Sequence, residues 1–232
     1  KALFVCCSKG IEMNSLKLPS EIVNSIFPKN KIAIISGPNF AAEIAKGLPA
    51  ATVVASKSES VATKIAQLIK SPTFRPYLSD DIIGSQIAGA LKNIYAIASG
   101  IVFGKKYGEN AVASIISRSF AEIKIVAQSM NAKKSTLAGL SGMGDLFLTC
   151  SSKESRNFSL GIDLAKGKTL NQIIEKKFSV AEGVFTVRAL KKLSMNKKLD
   201  LPINEAIYKV LYRKKNIDVT IQELLNRPIT KE

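Results

Sequence analysis

Apolar residues in the first third of the chain form short continuous runs separated by segments with helical spacing. The runs at 2–7, 31–35 and 51–55 are short and uninterrupted, which is typical of buried strands. The run at 73–78 contains a proline, which favours an edge strand because proline cannot donate to the strand ladder. This alternation of strand and helix predicts a mostly parallel sheet.

From about residue 81 the strand pattern gives way to helical spacing. Apolar residues between Ile83 and Ala98 cover nearly every face of one helix, which predicts a buried helix. The pattern therefore predicts an α/β region followed by an all-helical region, with the boundary near residue 80. Further amphipathic helices are predicted at about 157–166, 170–177, 182–194, 203–212 and 219–226.

Helix starts are marked by three polar signals. Ser56 and Glu59 have the spacing of a capping box, in which a serine and a glutamate bond to each other's backbone. Asn110 and Asn157 are residues of the type preferred at a helix N-cap. We expect each signal to begin a helix.

The absence of histidine limits the chemistry more than any other feature of the composition. It excludes Ser-His-Asp and Cys-His nucleophilic sites and His-ligated metal centres. Acid and base roles are left to Lys, Asp, Glu, Tyr or Cys. The 3 cysteines lack the spacing of a disulfide framework, so we expect a reducing, cytoplasmic location. No run approaches about 18 apolar residues, so no membrane span is expected.

The formal net charge of +16 indicates an anionic partner or a solvated basic surface. A nucleic acid and a phosphorylated metabolite are both candidates. Basic residues are spread along the chain with acidic residues between them, and aromatic residues do not cluster beside them. This distribution disfavours nucleic-acid binding, which would require a concentrated basic stripe.

Lys92 is the strongest catalytic candidate from the residues themselves. It lies in the apolar helix predicted after residue 81, where an isolated ammonium group would be very costly to bury. It must therefore reach a partner or water, and burial lowers the pKa of a lysine toward the range of proton exchange. The alternative is a lysine that extends from the helix edge to solvent.

Four polar segments are further candidates. Segment 138–146 combines three glycines with Asp145, and 155–157 combines a hydroxyl, a guanidinium and an amide suited to phosphate. Segments 8–10 and 36–43 follow predicted strands, where α/β sheets bind ligands. Each segment could also be an ordinary turn or helix start.

Taken together, these segments resemble one enzyme family. In chain order they are CCSKGIE, SGPNFAAEIA, GALKNIYAIASG, GLSGMGDLFLTC, SSKESRN and VAEG. They resemble NAD(P)-dependent glycerol-3-phosphate dehydrogenases over essentially the whole chain. The resemblance implies the C-terminal part of a Rossmann-type dinucleotide-binding domain at 1–80 and a helical substrate domain at 81–232.

The resemblance also implies an activity and a site. The reaction would be reversible hydride transfer between NAD or NADP and the C2 carbon of dihydroxyacetone phosphate, which supplies sn-glycerol 3-phosphate for phospholipid synthesis. Lys92 would be the acid/base, with Lys9, Asp145 and Thr149 assisting, and no metal would be needed. The partner would be a small phosphorylated substrate, and a homodimer is one expectation because dimers are common in the family. The implied substrate-binding residues are Lys9, Gly37, Asn39, Lys92, Asn93, Asp145, Ser155, Arg156 and Asn157, and the implied cofactor-binding residues are Lys9, Ala41, Arg156, Val180 and Glu182.

This sequence departs from the family pattern at several positions. Asn39 stands where Ser or Thr is usual, Gln86 where Glu is common, and Ser119 where Gly is usual. The family also begins with a strand and a Gly-x-Gly-x-x-Gly turn that this sequence lacks. We therefore expect a fragment of a longer protein or the product of a truncated gene, and in the second case no useful cofactor affinity and no turnover.

Other functions remain open from the sequence. A related β-hydroxyacid-type dehydrogenase with another anionic substrate, an inactive truncated paralogue and a nucleic-acid binder are the alternatives. Arg156 and Asn157 favour a phosphate-bearing substrate over a carboxylate. NAD and NADP are not distinguished, because the residues that contact the ribose 2′ position belong to the part that is lacking.

Overall fold

The computed structural model of the chain describes residues 2–175 and 181–229. Within these residues, four strands form one sheet in the order β1-β2-β3-β4. Each strand lies within one residue of a predicted run, and β4 is at the edge of the sheet as its proline predicts. The strands are β1 (Leu3–Cys6), β2 (Lys31–Ser36), β3 (Ala50–Ala55) and β4 (Phe74–Ser79).

The sheet is mixed, because one of its three pairings is antiparallel. β1 pairs with β2 and β3 pairs with β4 in parallel, whereas β2 and β3 are antiparallel. The parallel pairs are joined through α1 (Pro19–Ile26) and α3 (Glu59–Ile69). The β2–β3 connection contains only α2 (Ala41–Ala45). Five residues of helix extend about 7 Å, which is too short to return along a six-residue strand of about 20 Å.

Both faces of the sheet are covered. Ala33 and Val54 pack with α3 on one face, while Ile34 and Val53 pack with Ile82 at the start of the next helix on the other. Alternate residues of a strand point to opposite faces, so a strand covered on both sides must be apolar at nearly every position. This burial explains the continuous apolar runs.

Helices account for the regular structure of the described residues after β4. The five later helices predicted by periodicity are all present, with ends shifted by at most three residues where they can be compared. The predicted end of the helix at 170–177 lies outside the described residues. Two short helices and a π-helical turn between them were not predicted. The helices are α4 (Ile82–Gly104), α5 (Glu109–Ser129), α6 (Lys134–Ala138), α7 (Asp145–Ser151), α8 (Arg156–Ala165), α9 (Leu170–Glu175), α10 (Glu182–Lys197), α11 (Pro202–Arg213) and α12 (Ile217–Leu225), with the π-helical turn at Leu140–Gly144.

Helix α4 is the central element of the core, as its apolar pattern predicts. It is long and apolar enough to cross a membrane, but 78% of its most apolar window is buried inside the protein. It also crosses α8 in backbone contact. A Cβ added at Gly100 would lie 2.1 Å from the Phe158 carbonyl oxygen, and one at Gly161 would lie 2.2 Å from that of Ile97. This close crossing fixes α4 and α8 relative to each other.

The three predicted caps are wrong. Helix α3 begins after Ser58, because the Ser56 hydroxyl instead donates to the Ile32 carbonyl oxygen at 2.8 Å and joins β3 to β2. Helix α5 begins after Gly108, with Asn110 inside its first turn. Ser155 caps α8 by accepting from the Phe158 N–H at 3.3 Å, so Asn157 lies within the helix.

Candidate active site

Lys92 pairs with Asp145 in the interior of the helical region. The Lys92 Nζ lies 2.5 Å from Asp145 Oδ1, with side chains that are 14% and 1% exposed, respectively. The partner that a lysine in so apolar a helix requires is therefore a buried carboxylate. The pairing matches a charged donor to a charged acceptor, which is the stronger class of hydrogen bond.

Asp145 has one oxygen engaged and one without a partner. Burial raises the pKa of its carboxyl group, and the Lys92 ammonium group acts in the opposite direction. The Thr149 hydroxyl donates to the Asp145 carbonyl oxygen at 2.6 Å and lies 3.4 Å from Oδ1. Asp145 Oδ2 is buried and accepts from no group in the described residues. A hydroxyl group of a ligand would satisfy it.

The glycine-rich segment positions Asp145 through tight helical packing. It forms the π-helical turn Leu140–Gly144 and continues directly into α7, of which Asp145 is the first residue. A Cβ added at Gly142 would lie 1.9 Å from the Leu137 carbonyl oxygen, so no larger residue fits. The segment is therefore part of a continuous helical structure, whereas a plain turn between helices was the alternative.

Lys9 follows β1 and lies near Lys92 and Asp145, and the region around these three side chains is called the cleft below. Its Nζ donates to the Ser36 hydroxyl at 2.8 Å and to the Ile35 carbonyl oxygen at 3.2 Å. Burial lowers the pKa of Lys9 to about 8; Lys92 acts in the same direction, while Asp145 opposes it. A Cβ added at Gly89 would lie 3.0 Å from the Lys9 Nζ. Lys9 therefore lies against α4 one helical turn before Lys92.

The loop after β2 is tied to β3. The Asn39 Nδ2 donates to the carbonyl oxygens of Ala51, at 2.9 Å, and Pro38, at 3.0 Å. Gly37 is buried, and a Cβ there would lie 3.1 Å from the Cα of Thr52. These contacts leave Asn39 Oδ1 as the part of the side chain that can meet a ligand.

The start of α10 contacts two of the predicted substrate-binding residues. The Asn93 Nδ2 donates to Glu182 Oε2 at 3.0 Å, and the Gly183 N–H donates to Asn157 Oδ1 at 3.0 Å. Asn93 and Asn157 are buried, whereas Glu182 is exposed. The contacts connect α10 with α4 and α8 beside Lys92.

The structure thus brings most of the predicted residues together. The pKa of Lys9 is affected by three of the other predicted residues, Lys92, Asp145 and Glu182, which therefore lie close to it. Three predicted residues are exposed at helix starts, Ala41 on α2, Arg156 on α8 and Glu182 on α10. Val180 lies outside the described residues.

Three residues of the site were not assigned a role from the sequence. Ser36 accepts from Lys9, Gly89 leaves room for Lys9, and Gly183 leaves room for Asn93. A glycine one turn before a lysine on an apolar helix is a signal that could have indicated Gly89. Ser36 lay in the candidate segment 36–43, but its contact with Lys9 depends on the pairing of β1 with β2.

The site contains no evident metal ligand set. Within residues 2–175 and 181–229, no group of three His, Cys, Asp or Glu side chains could hold a metal ion. Cys150 is buried, and burial raises the pKa of its thiol. Two lysines and the carboxylates of Asp145 and Glu182 lie close together here, and the Cys7 thiol also lies near Lys9.

Comparisons with known proteins show the family of the chain. Residues 1–62 match the family described as NAD-dependent glycerol-3-phosphate dehydrogenase N-terminus, and residues 81–222 match the corresponding C-terminus. The glycerol-3-phosphate dehydrogenase (NAD(P)+) of Caulobacter vibrioides is 46% identical over 98% of this chain and 69% of its own length. The enzyme of the same name from Ehrlichia chaffeensis is 46% identical over 97% of this chain and 70% of its own length.

Solved structures give the same result. A crystal structure of glycerol-3-phosphate dehydrogenase from Coxiella burnetii matches with a TM-score of 0.94 and 32% identity. The match covers 98% of this chain and 70% of that one. The fold expected from the sequence, a Rossmann-type region followed by a helical region, is confirmed. The chain belongs to the NAD-dependent glycerol-3-phosphate dehydrogenase family.

Proposed function

We propose that Lys92 is the acid/base of a reversible hydride transfer between sn-glycerol 3-phosphate and dihydroxyacetone phosphate. The observation that carries this proposal is the buried pair of Lys92 and Asp145, with Lys9 in the same cleft. It is a proton-transfer site built without histidine, as the composition requires. The proposed product, glycerol 3-phosphate, would serve phospholipid synthesis.

Lys92 has the chemistry for the proton transfer. As an ammonium group it donates a proton to the C2 carbonyl oxygen of dihydroxyacetone phosphate, and in reverse it removes the proton from the C2 hydroxyl. Asp145 balances the positive charge and restrains the side chain through Oδ1. Its unpartnered Oδ2 would accept from a substrate hydroxyl. The Thr149 hydroxyl, 3.4 Å from the same Oδ1, restrains the carboxylate in turn.

The substrate phosphate fits the start of α8. The backbone N–H groups at a helix N-terminus favour anions, and Arg156 is the first residue of that helix. Asn157 and Ser155 flank it, and Lys9 supplies a second cation across the cleft. Substrate contacts by Gly37, Asn39 and Asn93 remain part of the proposal.

The residues present also suit a nicotinamide dinucleotide. Lys9 follows β1 and Gly37 follows β2, and these strands are parallel, so both residues lie at the sheet edge where such folds bind dinucleotides. The cations of Lys9 and Arg156 suit its phosphates, while the exposed Ala41 and Glu182 lie at helix starts. We propose these four residues and Val180 as the contacts for NAD or NADP, which supplies or accepts the hydride when bound.

The remaining expectations are also proposals. We propose a division into a dinucleotide-binding part at 1–80 and a substrate part at 81–232, because β4 ends at Ser79 and α4 begins at Ile82. Among the described residues, the one helix long and apolar enough to span a membrane, α4, is buried, which supports a cytoplasmic protein. We also propose a small phosphorylated substrate as its partner. A homodimer is proposed by family likeness alone.

Two measurements on the protein test the function. NADH or NADPH oxidation with dihydroxyacetone phosphate measures turnover, and calorimetric titration with glycerol 3-phosphate measures substrate binding. We expect glycerol 3-phosphate to bind more tightly than its carboxylate analogue glyceric acid, and Asn157→Leu to reduce this preference. Tighter binding of the carboxylate would reject a phosphate substrate.

A further inference from the structure

The first turn of α10 lies between the two helices that carry the substrate-site amides. Asn93 follows Lys92 on α4, and Asn157 is the second residue of α8. Glu182 accepts from the Asn93 amide, and the next residue, Gly183, donates to the Asn157 amide, both at 3.0 Å. The dipeptide Glu182–Gly183 therefore contacts the two amides in opposite ways. It accepts a hydrogen bond from Asn93 and donates one to Asn157.

This opposite character decides which way each amide is turned. A side-chain amide has an oxygen on one side and an NH2 group of similar size on the other. A carboxylate such as that of Glu182 only accepts, so it selects the NH2 group of Asn93. A backbone N–H only donates, so that of Gly183 selects the oxygen of Asn157. Asn157 consequently turns its NH2 group away from α10, and Asn93 turns its oxygen away.

Glycine is required at position 183 by close approach. A Cβ there would lie 2.5 Å from the Asn93 carbonyl oxygen and 2.7 Å from Asn157 Oδ1. The first of these atoms belongs to the backbone of the central helix, so α10 would have to move. Glu182 also acts on Lys9, whose pKa it raises, so its carboxylate faces the cleft that holds the two lysines.

We propose that Glu182 and Gly183 are positioning residues that set the Asn93 and Asn157 amides in opposite orientations. Asn157 then offers N–H donors to the substrate phosphate, and Asn93 offers an oxygen to a substrate hydroxyl. This inference rests on the proposed function, because it assigns the two amides to different parts of the same phosphorylated substrate.

The first test follows the side-chain NH2 signals of both asparagines by 1H–15N NMR during a titration with inorganic phosphate. We expect the Asn157 signal to shift and the Asn93 signal to keep its chemical shift. A shift of the Asn93 signal alone, or of neither signal, would overturn the proposal. This measurement needs no turnover, so it is separate from the test of the proposed function.

The second test uses variants of the dipeptide. Glu182→Ala should displace the Asn93 NH2 signal and raise KM for dihydroxyacetone phosphate about tenfold with a smaller change in kcat, the size expected for one charge-assisted hydrogen bond. Glu182→Gln retains an oxygen acceptor and should restore both the signal and most of the KM. An unchanged Asn93 signal in Glu182→Ala would contradict the role of Glu182.

Gly183 is tested against a glycine with a similar steric requirement. Gly183→Ala should displace the Asn157 signal, whereas Gly142→Ala, which creates a clash with the Leu137 carbonyl oxygen in the π-helical turn, should lower stability without moving either signal. Equal displacement in both variants would show a general packing effect and reject the proposal. If Gly183→Ala does not fold, the phosphate titration and the Glu182 variants decide.

Discussion

The two lysines of the site are held in two different ways in the two regions of the molecule. In the helical region, Lys92 meets the buried carboxylate of Asp145, so its charge is matched within the protein. At the end of the sheet, Lys9 meets a hydroxyl and a backbone carbonyl, which are neutral. Burial lowers the pKa of Lys9 to about 8, although the nearby Asp145 carboxylate acts in the opposite direction.

This difference indicates that the two lysines have different roles. A lysine paired with a carboxylate stays oriented and can pass one proton back and forth. A lysine held by neutral oxygens has a positive charge that an incoming anion can balance. We therefore expect Lys92 to determine the chemical step and Lys9 to determine the binding of the phosphorylated substrate.

The largest expected effect is on the chemical step. Lys92→Met should lower kcat about 1000-fold, within the range attributed to a general acid. Steady-state NADH oxidation with dihydroxyacetone phosphate measures it. The matched control is Lys133→Met, which removes a lysine from a surface pair with Asp80 and should leave kcat unchanged. More than a tenth of the activity remaining in Lys92→Met would reject the assignment.

The second effect tests whether the carboxylate matters to Lys92. Asp145→Asn keeps the shape of the side chain but removes the negative charge, and we expect kcat to fall about 100-fold. Asp80→Asn, in the surface pair, should have no effect. If Asp145→Asn were as active as the original protein, the contrast between the two lysines would lose its basis.

The third effect concerns pH and Lys9. Because the pKa of Lys9 is lowered to about 8 from 10.5, the folded protein binds fewer protons than the unfolded one between these values. The free energy of unfolding should therefore receive a contribution that rises with pH across this window. Over the same window, KM for dihydroxyacetone phosphate should increase about tenfold as Lys9 loses its charge.

Lys9→Gln provides the control for this pH dependence. It should raise KM at pH 7 and remove the increase above pH 8, which a pH profile of kcat/KM would show. Persistence of that increase in Lys9→Gln would assign it to another group.

The smallest effect tests the contact between the sheet region and the helical region that Gln86 and Ser20 form, which is called the joint. The Gln86 amide on α4 accepts from the Ser20 N–H at 2.9 Å and donates to the Ser20 hydroxyl at 2.7 Å at the start of α1. Gln86→Leu leaves these groups unpaired and should lower the free energy of unfolding by about 1–3 kcal/mol in urea denaturation. Gln86→Glu, which introduces the residue common in the family, should lower the free energy of unfolding by a smaller amount. A larger loss of kcat in Gln86→Leu than in Asp145→Asn would show that the regions are coupled through this joint.

The periodicity of apolar residues was sufficient to predict the strands and the long helices, because burial on one or both faces leaves a repeating apolar pattern. The sequence signals were insufficient to predict the helix caps. Ser56 has the residue type of a cap, but its hydroxyl is used by a neighbouring strand. The antiparallel pairing of β2 and β3 was also missed, since it depends on the length of α2 and not on the apolar pattern.

The candidate residues were found largely through motifs and family resemblance, while their partners were found through the structure. An ammonium group in an apolar helix must have a partner, which the sequence at position 92 already requires. Asp145 lies 53 positions further along the chain, and only the packing of α7 on α4 makes it that partner. The role of Ser36 for Lys9 likewise depends on two strands being adjacent.

The sequence by itself determined the fold class and the exclusion of histidine chemistry, because composition and periodicity are local properties. Its motifs and the family they resemble indicated the two lysines. Only the tertiary structure decided that one lysine is paired with a charge and the other with neutral oxygens. It also decided that α10 approaches Asn93 and Asn157 closely enough to orient them. Those outcomes depend on distances between elements that are remote in sequence. Tertiary packing determines these distances, and a local sequence pattern carries no information about them.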